Sequence, residues 1–346
     1  MSQAIFEKKN ILVAGGAGFI GSNLCERLVR KYKVICVDNF ISGSQANIDS
    51  FLANPNFLFI RHDLTKPLDL LKFPGTKKFK IEDQGIQEIY NLTCPSASKR
   101  YKDFTLDTIL ANSHATKNIL DLAVHYKAKL VHGSTSSVYG SPLEGQRYFD
   151  ENYWGFVDPI GPRSAYNEGK RFSEALVVNY QRKHNLPFKI ARIFNTYGPK
   201  MRLDSGRMIP DFINSAINNI DIEIHGTGKE ISSYCYIDDI LDGLEKLMEI
   251  EGLGPINLGN QDIYTIEEIA KTVIEIAESD SKIIYSEPLP YLLKQGVPEI
   301  SLAKDKLDWF PVIKLKQGLI KTIEDTKGAR VMTYTAEKEQ SLSENK

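Results

Sequence analysis

An apolar strand, Ile11-Leu12-Val13, runs into Gly15-Gly16-Ala17-Gly18-Phe19-Ile20-Gly21, and nothing else in the 346 residues limits the fold as much. The spacing is GxxGxxG. Glycine permits the tight turn, and it lets a pyrophosphate approach bare backbone amides at a helix N-terminus. A glycine triplet alone is weak evidence. Here it follows a strand, opens a helix, and precedes a second strand ending in Asp38, 38 − 21 = 17 residues after the last glycine. An acidic residue near that offset grips ribose hydroxyls, and its charge repels a 2′-phosphate. The pattern therefore predicts bound NAD rather than NADP. The expected cofactor set is Gly15, Gly18, Phe19, Ile20, Gly21, Asp38 and Asn39, with Asp63 and Leu64 after the third strand and Tyr166 and Lys170 further along the chain. Asp63 has two readings, an acceptor for the adenine amine or a loop carboxylate and helix N-cap.

The first half alternates buried apolar runs with helical stretches. Ile11 to Ala14, Val34 to Val37, Phe57 to Ile60, Ile89 to Leu92 and Leu130 to Val131 lack polar alternation, as strands covered on both faces should. Helical patterns span Ile20 to Lys31, Thr108 to His125 and Ala165 to His184, and a strand follows at Phe188 to Ile193. This order predicts an α/β fold with a doubly wound parallel sheet, a Rossmann domain over 8–195. Past residue 195 the segments shorten. Helices are expected near Met208 to Asn218, Asp239 to Ile250 and Ile266 to Glu278. A smaller C-terminal α/β substrate lobe is expected over 196–330, with some later segments returning to the first domain. Residues 331–346 are polar and expected to be disordered.

A formal net charge of −1 gives no pull toward nucleic acid or anionic lipid. The four cysteines form no CxxC pair and have no metal spacing with the six histidines, so no metal is expected and the thiols read as free. No signal peptide or membrane span is evident, which leaves the cytoplasm as the expected location. Trp154 and Trp309, set among aromatics and prolines, read as packing residues.

Tyr166 and Lys170 form a YxxxK pair on the long helix, and i,i+4 spacing puts both on one face. A nearby ammonium favours a phenolate. Such a tyrosine can take a proton from a substrate hydroxyl while hydride leaves to nicotinamide. Ser134-Thr135-Ser136-Ser137 follows the strand at Leu130, at the carboxyl edge of the sheet where ligands bind. Thr135 there can hydrogen-bond the same substrate oxygen. Arg192 and Arg207 are candidates for substrate phosphate, Arg207 the better placed because it follows a loop glycine.

Over roughly residues 8 to 328 the chain resembles the extended short-chain dehydrogenase/reductases, and within them the UDP-glucuronic acid decarboxylases (UDP-xylose synthases). The resemblance rests on VDNFISG at 37–43, ENYWGFVDPIGPRSAYNEGKR at 151–171, ARIFNTYGPKM at 191–201 and INLGN at 256–260. It implies NAD as cofactor, Tyr166 as base, Lys170 as its electrostatic partner and Thr135 as the hydroxyl aid. It also implies a UDP-sugar substrate touched by Asn195, with Asn112 near the site, alongside Ser136, Ser137 and Arg207. A homodimer joined by a four-helix bundle of the two long helices is implied as well.

Three positions depart from the decarboxylase pattern. Ser137 stands where glutamate is usual, and Ser232 stands where an arginine precedes the aromatic run. The RKPDI-like arginine is missing from Gln295-Gly296-Val297-Pro298-Glu299-Ile300, with Lys294 or Arg207 as partial substitutes. Arginine binds phosphate or carboxylate with two bonds at once, so its loss bears on the substrate. An NDP-sugar 4-epimerase is the alternative reading. A 4,6-dehydratase fits less well, because Ser136-Ser137 replaces its Asp-Glu pair. A non-catalytic dinucleotide-binding protein is the remaining reading.

Overall fold

The computed structural model describes residues 8–95, 101–251, 254–288 and 296–328. The expected tail at 331–346, Lys294 and Gln295 lie outside the described residues.

Seven strands form one parallel sheet: β1 (Asn10–Ala14), β2 (Lys33–Asp38), β3 (Phe57–Arg61), β4 (Glu88–Asn91), β5 (Lys129–Thr135), β6 (Phe188–Ile193) and β7 (Ile256–Leu258). Their order is β7-β6-β5-β4-β1-β2-β3. The sheet reverses direction of growth between β1 and β4, which opens a crevice at their carboxyl ends. Alternate residues enter two separate cores. Ile11, Val13, Val34 and Cys36 pack on one face, and Leu12, Ala14, Ile35 and Val37 on the other. A strand covered on both sides has no polar face, which is why these segments read as unbroken apolar runs.

Helix α1 (Phe19–Leu28) follows β1. Between β4 and β5 the chain forms α2 (Thr105–Leu110), a π-helical turn at Ala111–Ala115, and α3 (Thr116–Tyr126). Helix α4 (Ser164–His184) packs against this unit. Gly169 on α4 allows the approach, since a Cβ there would lie 3.1 Å from Asn112 Nδ2. Later come α5 (Met208–Ile217), α6 (Ile237–Glu249) and α7 (Ile266–Ala277). Helices α5 and α7 pack together beside a parallel pair, Ile222–His225 with Ile283–Ser286. Helix α6 returns to lie on α1, and β7 returns to the edge of the sheet. Trp309 is buried and donates to Asp239 O at 2.8 Å, as a packing residue. Trp154 is not one, because it is 90% exposed.

Candidate active site

Each glycine of the turn after β1 meets a different demand. Gly15 has φ +76°, and a Cβ there would fall 2.7 Å from Leu92 O across the crevice. Gly21 lies in α1 where a Cβ would come 2.2 Å from Gly15 O, so the helix could not seat on the turn. Gly18 is the N-cap of α1 and brings no side chain to it. A Cβ at Gly18 would meet one neighbour, Gly15 O, in a tight contact at 3.3 Å. The first amides of a helix have no carbonyl partner within it. Those of Phe19, Ile20 and Gly21 therefore form a seat for an anion.

Asp38 ends β2 next to this seat. Its Oδ2 accepts from Ala17 N at 3.0 Å and its Oδ1 from Phe40 N at 2.8 Å. Burial pushes its carboxyl above the usual range, against the pull of those amides. Two carboxylate oxygens have about four acceptor sites, so capacity remains for hydroxyl donors. A dinucleotide with a free ribose diol fits this arrangement. Asn39 is exposed and caps the next turn, its Oδ1 accepting from Ile41 N at 3.0 Å. Asp63 accepts from Thr65 N at 3.0 Å and from the Thr65 hydroxyl at 2.8 Å. These bonds cap the loop and leave acceptor capacity on the carboxylate. Leu64 is buried, and its carbonyl accepts from Asn118 Nδ2 at 2.9 Å.

Thr135 ends β5, and its Oγ1 accepts from Ser137 N at 3.2 Å and donates to Ser137 Oγ at 3.4 Å. Ser136 and Ser137 open a helical turn that packs against α4 and are half-buried. Tyr166 and Lys170 lie one turn apart on α4. Lys170 is buried, and its Nζ donates at 2.7 Å to Gly133 O, two residues before Thr135. The pair and the hydroxyl cluster thus meet at the same end of the sheet. Asn112 is buried in the π-turn behind Gly169, and its Nδ2 donates to Thr108 O at 2.9 Å and to Cys94 Sγ at 3.3 Å.

Arg207 precedes α5 as its N-cap residue. Burial pushes the Cys94 thiol up, and the positive charges of Lys170 and Arg207 pull it down. The crevice beyond β4 therefore feels both cations. Asn195 Nδ2 donates to Ser233 O at 3.3 Å and to Ser232 Oγ at 3.4 Å, so Ser232 stands beside it where an arginine was expected. Gly296 lies against the ring of Phe149, with a Cβ there falling 2.4 Å from Phe149 Cε2. Phe149, Tyr139 and Tyr153 form a three-ring cluster, with centroids 4.9, 5.5 and 6.1 Å apart. An aromatic cluster fills the space toward which an arginine at 296 would start.

Arg192 is committed to partners within the fold. It is bound to Glu174 on α4 by two parallel hydrogen bonds and also reaches Tyr139 Oη at 3.0 Å. Glu174 in turn accepts from Ser134 Oγ at 2.6 Å. This network braces β5, β6 and α4 below the site. Sequence spacing gives no sign of it, since Arg192 and Glu174 sit on different elements 18 residues apart. Among the described residues no cluster of His, Cys, Asp and Glu is arranged to hold a metal ion.

Residues 11–259 match the NAD dependent epimerase/dehydratase family. The chain is 42% identical over 317 residues to UDP-glucuronic acid decarboxylase 6 of Arabidopsis thaliana, which covers 91% of this chain and 88% of that protein. It is 35% identical over 318 residues to UDP-glucuronic acid decarboxylase 1 of Xenopus tropicalis, covering 92% of this chain and 72% of the relative. The crystal structure of UDP-glucuronic acid 4-epimerase from Bacillus cereus, in complex with UDP-glucuronic acid and NAD, matches with a TM-score of 0.78 at 29% identity. That match covers 92% of this chain and 99% of the epimerase. With the parallel sheet, the glycine turn and Asp38 in place, the chain belongs to the NAD dependent epimerase/dehydratase family, an enzyme family of the extended short-chain dehydrogenase/reductases.

Proposed function

We propose that this enzyme is a UDP-glucuronate decarboxylase that forms UDP-xylose. The carrying observation is 42% identity to a protein of that name over nine-tenths of the chain. Gly15, Gly18, Phe19, Ile20, Gly21, Asp38 and Asn39 would hold NAD, with Asp63 and Leu64 at the adenine end and Tyr166 and Lys170 at the nicotinamide end; when bound, it would supply reversible hydride acceptance at sugar C4.

Tyr166 removes the proton from the sugar 4-hydroxyl at its phenol oxygen. Lys170 puts a positive charge one helical turn away on the same helix. Thr135 hydrogen-bonds the same sugar oxygen and orients it. The C4 ketone lies β to the C6 carboxylate, so carbon dioxide departs with its bonding electrons delocalised into an enolate. A proton from solvent enters at C5, and Tyr166 returns its proton to O4 as C4 is reduced, which completes the turnover. Asn195, Arg207, Ser136 and Ser137 hold the UDP-sugar, with Asn112 supporting the site from behind α4. Residues 196–330 supply most of this substrate lobe, and 8–195 the cofactor domain.

The second reading is a 4-epimerase, favoured by Ser137, which brings no extra acid, and by Phe149 where an arginine would point. Incubation with UDP-glucuronate and mass spectrometry of the product separates the two. Loss of carbon dioxide supports the decarboxylase, and a product of unchanged mass with inverted C4 in the proton NMR spectrum overturns it.

The same proposal includes a cytoplasmic homodimer. Leu106 and Ile109 on α2 and Phe172 on α4 are exposed apolar residues on the helices that would form the bundle. Among the described residues no helix is long and apolar enough to cross a membrane.

A further inference from the structure

His132 lies in β5 three residues before Thr135, wholly buried, and no step above uses it. Its ring joins two elements of the site. Nε2 is 2.9 Å from Ser173 Oγ on α4, and Nδ1 is 3.1 Å from Asn91 Nδ2 at the end of β4.

The groups at the two ends of this chain of bonds decide where its protons sit. Ser173 Oγ lies 2.8 Å from Lys170 O, and a carbonyl only accepts. The one Ser173 proton goes there, so the bond to the ring takes its proton from Nε2. At the other end Asn91 Oδ1 accepts from Thr93 N at 3.2 Å and from the Thr93 hydroxyl at 2.6 Å. Asn91 Nδ2 therefore faces Nδ1, which must accept. Turning the Asn91 amide would set its NH2 against the Thr93 N–H. A second proton on the ring would set N–H against the Asn91 NH2. The network has one satisfied arrangement, with His132 neutral and protonated on Nε2.

That arrangement touches Lys170 twice. Ser173 holds the Lys170 carbonyl, and Lys170 Nζ holds Gly133 O, the residue after His132. We infer that His132 is a positioning residue for the Tyr166–Lys170 helix: the neutral ring ties α4 to the ends of β4 and β5 and so fixes where Lys170 Nζ and Tyr166 Oη stand relative to Thr135. The inference rests on the reading of Tyr166 and Lys170 as the reacting pair.

The charges around the ring agree. Burial first, and then the Lys170 charge, push the imidazole well below its ordinary range. Glu174, the next carboxylate on α4, is closed in its pair with Arg192 of β6. Lys189 of β6 donates to Met248 O. Glu88 sits at the far end of β4 and pairs with Lys9. Lys117 and Asp121 of α3 pair at the surface. None of these supplies the ring with a carboxylate that would hold a second proton.

The test combines NMR of protein labelled with 15N-histidine and kinetics of two variants, His132→Leu and Ser173→Ala. The expected spectrum has one histidine that keeps the neutral Nε2–H pattern between roughly pH 5.5 and 8, where ordinary histidines titrate, and that disappears in His132→Leu. Each variant is expected to lose about tenfold in kcat with UDP-glucuronate, because displacement of reacting groups by about 1 Å is costly. KM and NAD content are expected to stay within about threefold. A His132 signal that titrates normally or carries its proton on Nδ1 overturns the inference, as does wild-type kcat in Ser173→Ala. A change confined to KM overturns it too. If His132→Leu does not fold, Ser173→Ala and the spectrum decide. Wild-type protein that turns over no nucleotide sugar counts against the proposed function instead, and the NMR result still stands for or against the buried neutral ring.

Discussion

Arg192 and Glu174 meet side-on, Nε to Oε1 at 3.0 Å and Nη2 to Oε2 at 2.8 Å, with each side chain 12% exposed. Removing one member of a buried pair leaves the other charge uncompensated, which costs about 3–5 kcal/mol. Arg192→Leu is expected to lower the free energy of unfolding by that order in urea titration. Any folded fraction should keep its affinity for UDP-sugar. A selective loss of UDP-sugar binding with full stability would return Arg192 to the substrate site.

The glycine turn predicts opposite behaviour for two alanines. Gly21→Ala drives a methyl into Gly15 O and should cost about 1–3 kcal/mol of stability even without cofactor, as overpacking does. Gly18→Ala keeps an allowed φ of −74° and meets one tight contact, Gly15 O at 3.3 Å, so its stability cost should be smaller than that of Gly21→Ala, about 1 kcal/mol or less. Its methyl faces the anion seat, and NAD affinity should fall by at least about tenfold. Thermal melting and calorimetric titration with NAD separate the two effects.

Tyr166→Phe should reduce turnover by about a hundredfold to ten-thousandfold, the usual worth of a placed acid–base group. The glycine turn and Asp38 are unchanged, so most NAD affinity should be retained. Nicotinamide absorbance after mixing with UDP-glucuronate reads the hydride step directly. Unchanged turnover would remove Tyr166 from the chemistry.

Acid should destabilise the fold through His132. Its pKa is lowered on folding, so the unfolded chain binds the proton more readily. Stability is then full above the unfolded value of about 6.5 and falls as pH drops below it, by at most about 1.4 kcal/mol per pH unit from this group. The slope continues until the folded pKa is reached. Unfolding titrations at pH 7, 6 and 5 should show a steeper loss in wild type than in His132→Leu.

Leu106, 73% exposed, is expected to lie in a subunit contact. Leu106→Glu should convert a dimer to a monomer, as measured by light scattering on a sizing column. A wild-type protein that already runs as a monomer would refute the four-helix bundle.

Much of the architecture is legible in the residues because a buried parallel sheet leaves a one-dimensional mark. Phe188 to Ile193 is apolar enough to be bounded correctly from the sequence. The strand at Leu130 is longer than its apolar core, running from Lys129 to Thr135. Its last residues, Gly133, Ser134 and Thr135, carry no hydrophobic signal, yet they are buried by α4 and by the hydrogen bonds of Lys170 and Glu174. Two-residue pairings such as Tyr148–Phe149 with Val297–Pro298 are too short for any periodicity. The role of Arg192 and the setting of His132 depend on partners from other elements. Residue type shows that such groups need partners and does not say which.

The contact between Gly296 and Phe149 constrains how this protein could change. An arginine cannot simply be restored at position 296, because its first carbon would already strike the Phe149 ring. Phe149 would have to shrink first, and that step removes the ring that both Tyr139 and Tyr153 pack against. The two positions are epistatic: neither single step is neutral, and only the pair taken together opens a route to a basic pocket. A mutational library that varies 296 alone should return mostly glycine, whereas one that varies 149 and 296 jointly should pair larger residues at 296 with smaller ones at 149.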